Sequence, residues 1–385
     1  MNALLRIFYF IFATTFLLCR YDFSEASGEG KDVYLVKEIK VDVTAQTAAL
    51  ARKLAIAKAH NQAFRKLLNR IALIREIKLI GSFPQKEIYP LVLSFGIDEE
   101  RASSVRYIAK MQFQFRRDSV RRYLATRGLS FTETRSKPVL LLPVYENTGA
   151  KILWDKPNPW FSAWRRVPFQ GGLVPILLPK GVLADVRLVS ANQAAAASLK
   201  NLNALAKRYN VASIVVAIAT INTDITKGLR TINVTTNYFG GSLSNRTSVR
   251  SFRINEGVKN IVFLSNVAEK IASQVSEDWK NENVIRLDQV NELLGDIEIP
   301  DLAGWIDIQK KLRKTSLIKN VRILGVSRRK ALIRLTFYGR PRQLQTALGQ
   351  LDLVLKRGSV NWIITELNRK NLGLGSSSEL ERFEN

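Results

Sequence analysis

The sequence predicts a mixed protein, α/β and α+β, built from three small modules. Three observations predict it. The chain has 385 residues, 46% of them hydrophobic, enough for two or three separate cores at roughly 100–200 residues each. Strand-like stretches with β-branched alternation give way repeatedly to stretches with apolar residues at three- and four-residue steps. Finally, the last hundred residues read in the order strand, helix, strand, strand, helix, strand.

Taken in order, Met1 to Leu18 pairs an early Arg6 with the apolar run Ile7–Leu18, and the chain turns polar from Arg20. A charged start, an apolar core and small residues before a cut describe a secretory signal peptide, here 1–26, with Ser24-Glu25-Ala26 leaving Ser27 as the mature terminus. The alternative is an uncleaved inner-membrane anchor, against which the run falls short of the ~20 residues that span a bilayer. Leu18 is too bulky to precede a lipid-modified Cys19, and cleavage after Ala26 leaves a mature chain without cysteine.

Residues 27–135 form the first module. Val33–Val43 alternates as a half-buried strand. Thr44 then caps a helix to about Arg70 with Leu50, Leu54, Ala57, Phe64, Leu68 and Ile71 on its core face and an alanine strip beside it. An irregular stretch around Pro84 and Pro90 leads to a second strand, Val105–Phe115, and a short helix stopped by Gly128. Residues 136–285 form the second. Pro138–Pro143 is a buried strand, 172–179 and 186–189 frame another strand region, and a helix from about Ala194 to Tyr209 ends at Asn210. Ser213–Ala219 is a central strand, Thr231–Tyr238 and Ser248–Ile254 an edge hairpin, and a long helix closes near Trp279. In the third, 286–370, the order of elements is the ferredoxin-like split βαββαβ arrangement, with Pro341 in the first turn of its second helix. Residues 371–385 read as a flexible tail.

Composition narrows the chemistry. One His (His60) and one Cys (Cys19) exclude zinc sites built from these residues, cysteine nucleophiles and disulfide frameworks. His60 reads as a partly exposed surface residue on the basic side of its helix. Carboxylate pairs at Asp98-Glu99-Glu100, Glu277-Asp278 and Asp296/Glu298 are sequence neighbours, a poor arrangement for facing one substrate; a carboxylate-dependent hydrolase is the lesser alternative. No phosphate-binding loop is present, so no catalytic residue, cofactor or metal is expected. With 59 Lys+Arg against 33 Asp+Glu the net charge is +26, spread through all three modules rather than gathered on one arm, which argues against nucleic acid and for an anionic envelope surface nearby.

Two sets of candidate contact residues follow. Trp154, Trp160 and Trp164, interleaved with Arg165 and Arg166 in a Pro-rich segment, suit stacking on a sugar, a base or a partner's side chain, or else covering the central sheet. Arg121, Arg122, Lys310, Lys311, Arg328 and Arg329 are candidates for contact with an anionic surface.

The opening Val33-Tyr-Leu-Val with its Ala-rich helix, Val139-Leu-Leu-Leu-Pro-Val followed by Trp154, and the closing Trp305, Tyr338-Gly339 and Leu344 resemble a proteobacterial family of exported proteins classed only as a domain of unknown function. Leu140–Pro143 with Leu205–Val216 is more distantly similar to the amino-terminal domain of the Tol translocation protein and the curli-secretion lipoprotein, and the first module to small modules of a flagellar basal-body-associated protein. These resemblances imply a periplasmic, non-enzymatic envelope interaction or assembly factor. Its partner would be an envelope protein or an anionic surface, with membrane association peripheral at most.

Overall fold

The structure, a computed structural model, describes residues 32–167, 172–224, 229–241, 243–254, 259–285, 289–299 and 301–367. The expected signal segment 1–26, with Cys19, and the expected tail 371–385 lie outside the described residues. Three sheets are present among the residues that are described, and from Val33 onward the chain makes one compact unit.

The first sheet has the order β1-β3-β2, all antiparallel: β1 (Leu35–Thr44), β2 (Val92–Ala102) and β3 (Arg106–Phe115). Helix α1 (Ala48–Ile71) crosses one face, Thr47 Oγ1 capping it by accepting from Leu50 N at 3.2 Å. Two short helices, α2 (Ile74–Ile80) and α3 (Gln85–Ile88), lead to β2, and α4 (Arg117–Thr126) follows β3. Three expectations change here. The helix cap is Thr47 rather than Thr44, because Thr44 is still paired in β1 and the helix starts three residues later. Strand β2 occupies the stretch expected to be irregular; it is an edge with two register shifts, exposed at most positions, so it carries no alternating pattern to find. On α1 the alanine strip, Ala51, Ala55, Ala59 and Ala63, is what faces the sheet, while Leu50 and Leu54 are 39% and 46% exposed. Small side chains let the helix axis settle close to the strands, which turns the leucine row outward; Phe64, Leu68 and Ile71 are buried as expected.

The second sheet runs β5-β4-β7-β8-β9 with β6 beside β4: β4 (Val139–Asn147), β5 (Ala150–Ile152), β6 (Ile176–Leu177), β7 (Ser213–Asp224), β8 (Leu229–Phe239) and β9 (Thr247–Arg253). The short helices α5 (Pro159–Trp164), α6 (Leu183–Leu188), α7 (Ala191–Ala195) and α8 (Leu199–Tyr209) and the long α9 (Asn260–Glu282) cover it. β4 and β7 are parallel neighbours packed on both faces, one cluster holding Trp160, Leu264 and Ile271 and the other Leu202, Leu205 and Val216. Asn210 takes the left-handed cap (φ 50°), and Gly240 and Gly241 (both φ 70°) make the turn before β9. The expected strand region at 172–189 shrinks to the two residues of β6, and 186–189 belongs to the end of α6, because a run this short is claimed by whichever neighbour covers it.

In the third sheet the order is β11-β12-β10-β14-β13: β10 (Val290–Glu298), α10 (Leu302–Lys314), β11 (Ile318–Val326), β12 (Lys330–Tyr338), α11 (Pro341–Gly349), β13 (Leu353–Arg357) and β14 (Trp362–Glu366). Its first five elements follow the split arrangement, β12 lying between the parallel β10 and β11. The closing strand departs from the ferredoxin-like expectation. The strand after α11 goes to the sheet edge as β13, and β14 turns back to pair parallel with β10, so the order is βαββαββ. The first module repeats the same split pattern, β3 lying between β1 and β2, and the two modules' apolar faces join in one core that includes Phe64, Met111, Phe131, Ile308, Leu335 and Leu348.

Candidate functional site

The tryptophan segment is core. Asn158 starts α5, its Oδ1 accepting from Phe161 N at 2.9 Å and its Nδ2 donating to Leu153 O at 3.1 Å, with Pro159 in the first turn. The four-residue step then turns Trp160 and Trp164 to one side, where both are fully buried with ring centroids 5.5 Å apart, and Trp160 Nε1 donates to Ala217 O at 3.0 Å. Trp154 is half-buried and donates to Val189 O at 2.7 Å. Only Arg165, lying 5.0 Å over the Phe161 ring, and Arg166 are exposed. Of the two roles the sequence leaves open for this segment, Trp160 and Trp164 take the one of covering the sheet, because Asn158 and Pro159 start a helix that turns both rings into the core.

The six candidate cations divide. Arg121 is committed to Glu133, Nε to Oε1 at 2.6 Å, and to Ser316 O at 3.2 Å; Lys311 pairs with Asp307 at 2.7 Å and Glu366 at 3.3 Å. Arg122, Lys310, Arg328 and Arg329 are exposed. Arg328 and Arg329 form the β11–β12 turn, beside the start of α10, whereas Lys310 lies towards its other end and Arg122 stands on α4.

His60 is buried, contrary to the sequence expectation. The Tyr89, Phe95 and Phe113 rings pack edge-on at 4.7, 5.3 and 4.9 Å, and its Nδ1 is 2.8 Å from Ile56 O. Burial lowers its basicity, with the Ile56 carbonyl offsetting part of this. One carboxylate in each of these groups is engaged in structure: Glu100 accepts from Tyr107 Oη at 2.5 Å, Asp278 from Tyr238 Oη at 2.7 Å, and Asp296 from Asn361 Nδ2 at 3.2 Å. Among the described residues no three His, Cys, Asp or Glu side chains converge as metal ligands. One cavity of about 60 Å³, between Ser136, Ser213, Tyr238, Gly241, Trp279 and Gln350, has room for little more than water.

The most constructed place in the molecule is one that sequence reasoning missed, the junction where the end of α9 meets the end of α1. Lys280, 1% exposed, donates from Nζ to Asn69 O at 2.8 Å and Ala72 O at 2.6 Å and pairs with Glu277. Helix C-termini leave carbonyls without intrahelical partners, and a cation there satisfies them. Glu277 in turn accepts from Ile74 N at 3.2 Å, and Trp279 Nε1 donates to Thr134 O at 2.7 Å. Phe131 bridges Ala72 on one side and Ile285 on the other. A second buried cluster lies nearby in sequence: Glu133 accepts from Arg117, Arg121 and the Tyr34 hydroxyl. Burial alone would raise the Glu133 carboxyl, but Arg121 and Arg117 outweigh it and hold it below its ordinary 4.5. Burial pushes Lys280 down, offset in part by Glu277. The one sequence signal for this junction is the Glu277–Lys280 step of three inside an amphipathic helix, which reads equally as a solvated pair.

No family model matches this chain, and no curated protein matches it. Among solved structures it is similar to the PelC dodecamer from Paraburkholderia phytofirmans, at 9% identity over 36% of this chain and 88% of that one, with a TM-score of 0.22. Lipoprotein GNA1162 from Neisseria meningitidis is similar at 12% identity over 36% of this chain and 95% of that one, with a TM-score of 0.23. Both likenesses are weak and partial.

Proposed function

We propose that the chain is a non-enzymatic interaction or assembly protein of the cell envelope, exported to the periplasm, with three modules that act as one body. The observation that carries this reading is the Lys280 junction. Charged groups that could have served chemistry are instead buried between modules, where they fix the end of α1 to the end of α9. One carboxylate of each pair that a hydrolase would need is likewise held, by Tyr107, Tyr238 or Asn361. The charged and apolar order of residues 1–26 supports export. The partner is an envelope protein or an anionic surface, and no helix among the described residues is long and apolar enough to cross a membrane.

Osmotic-shock fractionation of a tagged chain, with sequencing of its N-terminus, tests this. Release with the periplasm and a start at Ser27 is the expected result; a full-length chain in the cytosol would sink the reading, and a membrane pellet that retains residue 1 would select the uncleaved anchor.

Attraction to anionic surfaces accompanies this role, with Arg122, Lys310, Arg328 and Arg329 exposed on a chain of net charge +26. Cosedimentation with anionic vesicles is expected to be strong at low salt and to fall steeply by about 0.15 M, where exposed charges are screened beyond about 8 Å. Binding that survives high salt unchanged would show an apolar mode instead.

A further inference from the structure

The sheet edges are not equivalent. β1, β2 and β11 each carry register shifts, which leave a residue unpaired and twist the strand away. β5 has three residues and β13 five. β9 ends its sheet with seven successive pairs against β8, from Thr231–Arg253 to Asn237–Thr247, and no shift. It holds no proline and no acid, and Thr247, Val249, Arg250, Ser251 and Arg253 are exposed, Val249 to 63%. Val249 and Ser251 stand opposite Thr235 and Asn233 of β8. Arg250 is steadied by Gln274 Oε1 at 3.0 Å and by the Phe252 ring at 5.9 Å.

We propose that β9 is a strand-addition site for an extended, acidic segment of a partner protein. Such a segment would continue the sheet through main-chain hydrogen bonds to the outer edge of β9, set an apolar side chain against Val249 with a carboxylate by Arg253 on that same face, and place a second carboxylate by Arg250 on the opposite face, since strand residues three apart point to opposite sides. A second copy of this chain does not fit: full overlap of two antiparallel β9 strands sets Arg250 opposite Arg250, a destabilising like-charge pair, between molecules that each carry +26. The inference rests on the interaction-protein reading above and supplies the chemistry of the partner.

The test is fluorescence anisotropy on the purified full chain with a labelled extended peptide of about eight residues that mixes Val and Thr with Glu on both faces of the strand. Two comparisons decide it. Methylating alternate amide nitrogens of the peptide keeps every charge but removes main-chain donors, and is expected to weaken binding by about tenfold or more. The Arg250→Glu/Arg253→Glu variant is expected to lose a similar factor, while Arg328→Glu/Arg329→Glu, with the same change in net charge away from β9, keeps the parental affinity. Equal binding of the methylated peptide, equal weakening by the two double variants, or a dimer of the unliganded chain that Arg250→Glu abolishes would each overturn the proposal. A cytosolic location would sink the envelope reading and leave this binding result standing, and absent peptide binding would leave the location untouched.

Discussion

Truncating Lys280 to alanine is expected to lower the unfolding free energy by about 3–5 kcal/mol, the usual cost of breaking a buried ion pair by removing one partner. The reason is local. Without Nζ, the Asn69 and Ala72 carbonyls lose their donor at the end of α1, and Glu277 is left with the Ile74 amide as its remaining partner. Each buried acceptor stripped of a donor costs about 1–3 kcal/mol. Lys280→Met keeps the aliphatic stem and isolates the polar contribution, so it should lie between the parent and the alanine variant in a denaturant titration. Hydrogen exchange is expected to rise first at Thr132 N and Ile285 N, the amides that seat the Phe131 crossing on Ile71 and on residue 285. A Lys280→Ala chain with parental stability would show that the junction is packed rather than held by charge.

Glu133→Ala is expected to cost a similar 3–5 kcal/mol, about the figure for a buried charge that loses its partner, since Arg121 (side chain 18% exposed) and the Tyr34 hydroxyl would both lose the buried carboxylate they share. The pH dependence has a definite sign. The folded carboxyl sits below its ordinary 4.5, so its contribution is complete above that value and is lost as pH falls through the lowered folded value. Between those two limits the unfolded chain binds more protons than the folded one, and stability rises with pH. Glu133→Gln should therefore flatten the acid limb of a stability–pH curve measured by urea titration, relative to the parent. An unchanged acid limb would mean that other carboxylates dominate it.

Several elements were legible in the residues because their burial pattern is local. Ser213–Ala219 is apolar on both faces and lies between β4 and β8; Pro341 stands at the start of α11; Asn210 adopts the left-handed cap. What could not be read were choices made by neighbours. Trp160 and Trp164 sit four residues apart, a spacing equally suited to an exposed stacking pair and a buried one, and the sheet and α9 decide for burial. The leucine row of α1 was the richer apolar stripe, yet the alanine ridge approaches the strands more closely and takes the core. β2, exposed at most positions and interrupted twice, carried no periodic signal at all. The polar junctions were invisible for a related reason: Lys280 and Asn69 are far apart in the chain, and a lysine reads as surface until a buried helix end is placed beside it.

By itself, the sequence determined the mixed class, most of the longer strands and helices, the excess of basic residues and the poverty of His and Cys, because composition and short-range periodicity are properties of the chain alone. Tertiary structure alone decided the parallel return of β14 beside β10, the burial of the tryptophans and His60, the commitment of Arg121 and Lys311 to ion pairs, and the exposure of β9 as an unbroken edge. Each of these depends on which surface a residue meets across the fold, and desolvation and pairing energies have no value until that surface is in place.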